Sequence, residues 1–434
     1  MSETKLEGRE ETLVDNDLSL FPDGGREAYT VVAGACMGLT SVFGVVNSVG
    51  AIQAYISEHQ LKAVRTSTVS WIFALYVFAV FASNVLCGCY FDRNGCRTAK
   101  YLGIILSVVG IFCLAECKEV YQFILCLSLL YGVGSGILMT CLISSVSTWF
   151  NRRRAHATAI ASIGGSIGGI VFPIMLRKLY SEVGYAWAIR TLAFIITACL
   201  VLSTVLTREN AAVMKYQREK LPWRKTLQIY VRYSLDLGSL KDCKFLFCTL
   251  GCCFAENGLI ITTTYFPSYA ISKGVPESTS YALIAIINGC GILGRCSGYI
   301  ADRFTGRFMI ITICLLLMTL LSLVMWLPFG HSLKVLYAFS ALFGAVCSSI
   351  LSLVPVAMSQ ICRTEDFGKR FGLMYLMTAL ASLAVMPAGG AIIGNGGAKQ
   401  YDNFIIYCSV LTFSAATSYI TSRFFAVGTK RVKF

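Results

Sequence analysis

Charged side chains are scarce in this chain. Asp, Glu, Lys and Arg together make up 14% of its 434 residues, whereas soluble proteins carry about 25%. Hydrophobic residues make up 56% of the chain, and the mean hydropathy is +0.67. This shortage of charge argues against a soluble domain and favours a protein that is surrounded by lipid.

The sequence also lacks the usual signatures of enzymes and metal sites. It has three histidines, and no Cys-x-x-Cys pair or Cys/His cluster with zinc spacing. Most of its nineteen cysteines lie inside apolar runs, where thiols behave as small hydrophobic groups. No Walker sequence, catalytic triad or carboxylate pair occurs. We therefore predict neither an enzyme nor a nucleotide-driven pump, and we expect no metal and no cofactor.

Long apolar runs recur along the whole chain. A helix that crosses a bilayer needs about 20 such residues, and we place twelve runs, more than any soluble core needs. The sequence therefore predicts an all-α membrane protein with twelve transmembrane helices in two six-helix, pseudo-symmetric halves. The predicted spans are 29–55, 69–91, 101–116, 121–149, 156–176, 187–206, 244–270, 279–300, 308–328, 334–360, 371–394 and 403–426.

The basic residues predict an orientation. If the N-terminus is cytoplasmic, the segments on that side hold or border 27 of the 37 Lys and Arg, and the opposite loops hold eight. This is the positive-inside pattern, so the net charge of +14 needs no nucleic-acid partner. We expect both termini in the cytoplasm. We expect the plasma membrane, with an organelle membrane as the alternative.

Polar segments divide the chain into five parts. The first is a cytoplasmic, disordered tail, and a basic segment later separates the first six spans from the last six. The predicted parts are the tail 1–28, the N-terminal six-helix half 29–206, the cytoplasmic central loop 207–242, the C-terminal six-helix half 243–426 and the cytoplasmic tail 427–434.

One motif occurs in both halves. GCYFDRNGCR (88–97) follows span 2, and GYIADRFTGR (298–307) follows span 8. Four of its residues reappear 210 positions later, whereas the turn glycine is Gly95 in one copy and Gly306 in the other. The repeated residues are Gly88, Asp92, Arg93 and Arg97, then Gly298, Asp302, Arg303 and Arg307. Such a duplication is typical of transporters with a binding site between the two halves.

This motif resembles the signature loop of the major facilitator superfamily. We predict that its glycines let helices approach closely and that its Asp and Arg residues form the ion pairs of a cytoplasmic gate. A solvated positive loop would account for Arg93 and Arg97 but not for the accompanying Asp92 and Gly88.

Further motifs resemble the monocarboxylate transporter family. They are PDGGREAY (22–29), WFNRRRAHATAIASIGGSIGG (149–169) and YFPSYAISKG (265–274). Span 8, with Asn288, Gly294 and Arg295, is similar to the fungal branch, which includes riboflavin importers. The family's lactate carriers have a lysine in span 1 and an aspartate one turn before the span 8 arginine. Those places hold Asn47 and Gly291 here, which argues against lactate and the usual proton coupling.

Arg295 and Glu256 are the charged candidates for the pathway. A charge at membrane depth is costly unless it faces a cavity or a partner, so we expect Arg295 to point into the pathway and hold an anionic or carbonyl-bearing solute. The alternatives are snorkelling to the cytoplasm or a structural pair with Asp302. Glu256 has three open roles: a proton carrier, a new partner for Arg295, or a hydrogen-bonding group without a coupling role.

Uncharged polar and aromatic side chains complete the candidate set. Asn47, Asn257 and Asn288 lie at depth, and we weigh lining of the pathway equally with hydrogen bonding between helices. Tyr265 would stack on a flat ring, although a tyrosine at helical spacing more often packs in the core. Together with Arg295 and Glu256, these four residues form the predicted binding site.

The predicted function is transport of a small organic solute by alternating access. Riboflavin or a related planar or anionic solute is the leading candidate, and a proton-coupled lactate or pyruvate symporter is the alternative. A non-transporting nutrient sensor of the same fold is a third hypothesis, which the short tails disfavour. The expected partners are the lipid bilayer and the solute, coupling to protons is left open, and we expect a monomer.

Overall fold

The described part of the chain folds into twelve long helices. The computed structural model describes residues 21–150, 153–210, 237–295, 306–362, 367–394 and 396–428. The helices of the first half, called the N-half, are α1 Arg26–Glu58, α2 Thr66–Asn94, α3 Arg97–Leu114, α4 Val120–Ser147, α5 Arg154–Glu182 and α6 Gly184–Leu206. Those of the C-half are α7 Cys243–Ser272, α8 Glu277–Gly294, α9 Arg307–Phe329, α10 Leu333–Ile361, α11 Phe367–Ile393 and α12 Ala398–Val427.

All but one of these helices are long and apolar enough to span a bilayer. Eleven of them meet that description within the described residues, and the remaining one, α8, begins with the polar turn ESTS. Because lipid offers no hydrogen bonds, a spanning segment must satisfy its backbone internally, which helices do. The prediction of an all-α protein with twelve transmembrane helices is confirmed.

The helices extend further than the predicted spans at most ends. Helix α1 begins at Arg26, inside the segment predicted as a tail, and it ends at Glu58. Backbone hydrogen bonding continues into the polar flanks of a helix, whereas the hydropathy pattern marks only its apolar part. Span 8 was predicted to reach residue 300; the described helix ends at Gly294, and residues 296–305 lie outside the described residues.

The two halves repeat the same neighbour relations. In the N-half, α1 packs on α5 and α6, and α4 packs on α2 and α3. In the C-half, α7 packs on α11 and α12, and α10 packs on α8 and α9. Between the halves, α2 packs on α11 in the same way that α8 packs on α5, and α1 meets α7. This correspondence is the pseudo-twofold symmetry that the duplicated motif predicted.

Glycines set the distance between α1 and α5. A methyl group on Gly164 would lie 2.1 Å from the backbone oxygen of Cys36, and one on Gly168 would lie 2.6 Å from the Cα atom of Gly44. The backbones therefore touch with no room for a side chain. Small residues at four-residue spacing allow this close approach in membranes.

The α1–α5 contact generates a stability prediction. Replacement Gly164→Val should lower the free energy of unfolding by about 1–3 kcal/mol, because a backbone oxygen cannot rotate away. The measurement is the melting temperature of the detergent-purified protein. Gly289→Ala is the matched control, since a methyl group there would lie 3.7 Å from the nearest atom. Equal melting temperatures for the two variants would contradict the close α1–α5 packing.

Candidate functional site

Arg295 reaches from the C-half to the middle of the N-half. It caps the C-terminal end of α8, and its guanidinium donates a hydrogen bond to Ser166 Oγ of α5 at 3.2 Å. Its buried Nε atom has no hydrogen-bond partner among the described residues. The thiols of Cys36 and Cys347 lie close enough to interact electrostatically with it. Since Ser166 and Cys347 lie near the middles of α5 and α10, the charge lies deep in the bundle.

Gly291, which stands where the lactate carriers have an aspartate, has no free space around it for a carboxylate. A Cβ atom on Gly291 would lie 2.2 Å from Ser348 Oγ and 3.4 Å from the backbone oxygen of Gly344, both on α10. An aspartate here would meet this hydroxyl and this carbonyl. The ion pairs of the described residues include none to Arg295, so its charge is not neutralised by a carboxylate there.

Asn288 ties α8 to α5 one turn above Gly291. Its amide donates to the backbone oxygen of Gly169 at 3.2 Å and to that of Ile284 in its own helix at 3.1 Å. A Cβ atom on Gly169 would lie 2.5 Å from the Asn288 side chain, so the glycine is required for this contact. Asn288 therefore acts as a hydrogen-bonding link between the halves.

Asn47 contacts the same stretch of α5 from the other side. Its amide donates to the backbone oxygen of Gly165 at 3.1 Å, and the side chain is partly exposed. Gly165 precedes Ser166, the partner of Arg295. The structure thus brings Asn47, Asn288 and Arg295 together on residues 165–169 of α5.

Glu256 and Asn257 lie in the C-half and face α11. Glu256 is 3% exposed, and the Tyr375 hydroxyl donates to its Oε1 at 3.5 Å. The Asn257 amide donates to the backbone oxygens of Cys253 and Thr378, at 2.9 and 3.2 Å. Asn257 therefore joins α7 to α11 by a hydrogen bond, which was one of its two predicted roles.

Glu256 is near the Arg295 site without pairing with it. The Cys347 thiol interacts electrostatically with both Glu256 and Arg295. No ion pair joins the two within the part of the chain that the structure describes. Of the three roles considered for Glu256, direct pairing with Arg295 is therefore not seen in this structure. The other two stay open.

Tyr265 lies apart from the other candidates. Its hydroxyl is within hydrogen-bonding distance of Ser70 Oγ on α2, and its ring packs edge-on against Phe404 at 5.4 Å between centroids. The residue is 1% exposed. The structure does not bring Tyr265 to Arg295, and its ring has no open face for a flat solute in this state.

The gate motif is described only in part. Asp92 and Arg93 lie in the last turn of α2, and their side chains are outside the described part of the structure. Gly298, Asp302 and Arg303 fall on residues 296–305, also outside it. Both turn glycines have positive φ, 80° at Gly95 and 93° at Gly306. A following arginine, Arg97 or Arg307, begins the next helix in each half, which agrees with a duplicated turn.

The expected close approach at Gly88 is not found. A methyl group on Gly88 would meet no atom within 4 Å, so no described neighbour requires a glycine there. The helices α2 and α4 instead approach at Gly136, where a methyl group would lie 2.2 Å from the backbone oxygen of Val80. The packing of α2 on α4 therefore requires a glycine at position 136 and not at Gly88 of the motif.

Contacts at the end of the bundle that carries the termini join distant motifs. The Asp23 backbone N–H donates to the backbone oxygen of Trp149 at 3.1 Å, which links the PDGG and WFNRRR segments. The Cys96 backbone N–H donates to Glu209. Burial, and then the hydrogen bond with Glu209, raise the pKa of the Cys96 thiol to about 12. This thiol therefore stays neutral at cellular pH.

Sequence reasoning missed the neutral residues around Arg295. Ser166 has a signal in retrospect, because it is the polar residue within the glycine run GGSIGG. Cys36, Cys347 and Tyr375 have none, since a thiol or tyrosine in an apolar helix is usually packing. Their roles depend on which helices meet, and one sequence does not give that information.

The lack of space at Gly291 generates a second prediction. Gly291→Asp should lower the melting temperature by an amount that corresponds to about 1–3 kcal/mol, because Ser348 and Gly344 occupy the space. Adding Ser348→Gly should recover at least part of the loss, because it frees room and lets the carboxylate reach Arg295. Thermal unfolding of the two single variants and the double variant measures this coupling. Strictly additive losses would contradict the steric explanation.

The chain is similar to known membrane transporters along most of its length. The Major Facilitator Superfamily matches the chain over residues 30–332 and 289–431. The riboflavin transporter MCH5 of Saccharomyces cerevisiae is 40% identical over 97% of this chain and 82% of its own length. The MFS transporter asaE of Aspergillus flavus is 31% identical over 95% of this chain and 90% of its own. The fujikurins efflux protein of Gibberella fujikuroi is 31% identical over 86% of this chain and 77% of its own length.

Proposed function

Because the chain belongs to the Major Facilitator Superfamily, we propose that it carries a small organic solute across the membrane by alternating access, with riboflavin as the leading substrate. The observation that carries the proposal is Arg295, a half-buried cation that reaches from one half to the middle of the other and whose buried Nε atom has no hydrogen-bond partner among the described residues. The 40% identity to a riboflavin transporter supports the choice of solute.

The proposed site suits a planar solute with carbonyl oxygens. A guanidinium is a flat fork of donors that matches paired oxygens, and riboflavin presents carbonyl oxygens along one edge of its ring system. Asn47 and Asn288, on either side of α5, supply amide groups in the same region. We propose that the solute binds between α1, α5 and α8 and that Arg295 exchanges part of its contact with Ser166 for the solute.

The alternative, a lactate-type symporter, is less well supported by the contacts. Asn47 stands where the lactate carriers have their lysine, so the N-half offers an amide there. The aspartate position, Gly291, lies against Ser348 and the Gly344 carbonyl. A carrier of small carboxylates would need a different arrangement of charge around Arg295.

We propose that both termini are cytoplasmic and that the protein works as a monomer in the plasma membrane. The orientation follows from the 27 of 37 basic residues on that side. Residues 29–206 and 243–426 would be the two moving halves, with 207–242 as the cytoplasmic link. The repeated motif, Gly88, Asp92, Arg93, Arg97 and its second copy, would close the cytoplasmic side.

We further propose Glu256 as the group that binds protons. A bare charge among apolar helices is costly, and the neighbours of Glu256 supply one hydroxyl, that of Tyr375, and no cation within the described ranges. A carboxyl group can remove its own charge by taking up a proton. If opening of the pathway admits water to Glu256, the proton is exchanged at each cycle.

Uptake of labelled solute tests the main proposal. Cells or proteoliposomes that contain the protein should accumulate riboflavin in preference to lactate or pyruvate. Arg295→Gln should reduce riboflavin uptake about 10- to 100-fold, because charged hydrogen bonds contribute about 1.5–3 kcal/mol. Arg190→Gln is the matched control, since Arg190 pairs with Glu116 near the surface. Uptake of lactate but not riboflavin would contradict the proposal and support the symporter alternative.

An imposed proton gradient tests the role of Glu256. Riboflavin uptake should rise with an inward proton gradient, and Glu256→Gln should remove this dependence while it preserves uptake without a gradient. The amide still accepts the hydrogen bond of Tyr375, so the change isolates the proton. Glu277→Gln, at the start of α8, is the control. A gradient effect that survives in Glu256→Gln, or none in the wild type, would eliminate the coupling role.

A further inference from the structure

The two halves meet tightly at the end of the bundle opposite the termini, called here the far end. On α1, a methyl group on Gly50 would lie 2.6 and 2.9 Å from the backbone oxygens of Thr263 and Thr264 on α7. These distances leave no room for any side chain at Gly50. The N-half and the C-half are therefore in backbone contact there, and water cannot pass between α1 and α7 at this level.

A polar contact lies beside this backbone contact. The hydroxyls of Ser70 on α2 and Tyr265 on α7 are hydrogen-bonded, and the side chain of Gln53 on α1 lies beside Tyr265. A Cβ atom on Gly390 of α11 would lie 2.1 Å from Ser70 Oγ and 2.9 Å from the Tyr265 hydroxyl. Helices α1 and α2 of the N-half thus meet α7 and α11 of the C-half at this point.

Burial and chemistry suit a contact that closes and opens. Ser70 is fully buried, and Gln53 and Tyr265 are 2% and 1% exposed, so water is excluded in this state. If the halves separate, water replaces each lost hydrogen bond, and the net cost of one such bond is only about 0.5–1.5 kcal/mol. The contact is therefore specific in geometry, but breaking it costs little free energy compared with separating a large apolar interface.

We infer that Ser70, Tyr265 and Gly390 form a latch that closes the solute pathway at the far end and must open for solute to enter or leave there. This inference rests on the proposed alternating-access function. It also gives Tyr265 a gating role in place of solute binding. The glycines at 50 and 390 are required because a side chain at either position would hold the closed gate apart.

A disulfide between the halves tests the latch directly. A Cβ atom on Gly390 would lie 3.1 Å from Ser70 Cβ, and the two Cβ atoms of a disulfide are about 3.5–4.5 Å apart. The variant Ser70→Cys/Gly390→Cys should therefore cross-link with copper phenanthroline after a small shift. A protease site inserted within residues 211–236 then reports the cross-link, because only joined halves migrate together on a non-reducing gel.

The expected result is loss of riboflavin uptake on oxidation and its return, with dithiothreitol, to the level of the unoxidised double variant. The wild type and the single variant Ser70→Cys are the controls. The wild type contains a native pair, Cys87 and Cys141, with thiols 3.7 Å apart inside the N-half, so it shows the effect of oxidation within one half. Unchanged uptake in the cross-linked double variant, or no cross-link, would overturn the latch.

A second variant separates the hydroxyl from the packing. With Ser70 intact, a cysteine placed at the buried position Gln53 reports opening of the far end through its labelling by a maleimide. Tyr265→Phe should raise the labelling yield, because the far end opens more often without the hydrogen bond to Ser70. Tyr269→Phe, one turn further along α7 and packed on Trp326 and Tyr401 within the C-half, should leave the yield unchanged. Equal yields in both variants would overturn the role of the hydroxyl. Cross-linking needs no substrate, so absence of riboflavin uptake in the wild type would count against the proposed function alone.

Discussion

The candidate site depends on the bare backbone of α5 between residues 164 and 169. Glycines there let α1 approach on one side, at Cys36 and Gly44, and let α8 approach on the other, at Asn288. With no side chains in the way, the carbonyls of Gly165 and Gly169 and the hydroxyl of Ser166 are available as partners. A larger residue in this stretch would separate the helices that bring the polar groups together.

The two halves contribute different chemistry to this site. The N-half supplies neutral groups, an amide, a hydroxyl and backbone carbonyls. The C-half supplies the two charged groups, the half-buried Arg295 on α8 and the buried Glu256 on α7. The halves share one helix arrangement, but their roles at this site differ, because both charged side chains lie on the C-half. Rocking of the C-half therefore moves the charges relative to a neutral surface.

The sequence predicted the fold far better than it predicted the site. Apolar runs fix the number and order of the helices, because crossing lipid imposes a length and an apolar composition. The charged candidates Arg295 and Glu256 could be found because a charge at depth is unusual. Ser348 and Tyr375 could not, since their importance depends on which helix faces Gly291 or Glu256. The close approach expected at Gly88 was misplaced for the same reason: spacing along a helix does not name the neighbour.

The contacts that link Asp23 with Trp149, and Cys96 with Glu209, have a consequence for biosynthesis. All four residues belong to the first 210 of the chain. Domains generally fold as units, the N-terminal one first, while the ribosome is still adding residues. Six helices can therefore be inserted and joined, at the end of the bundle that carries the N-terminus, before α7 emerges. The second half is then synthesised against a finished template, whose α5 already presents the surface that α8 will meet.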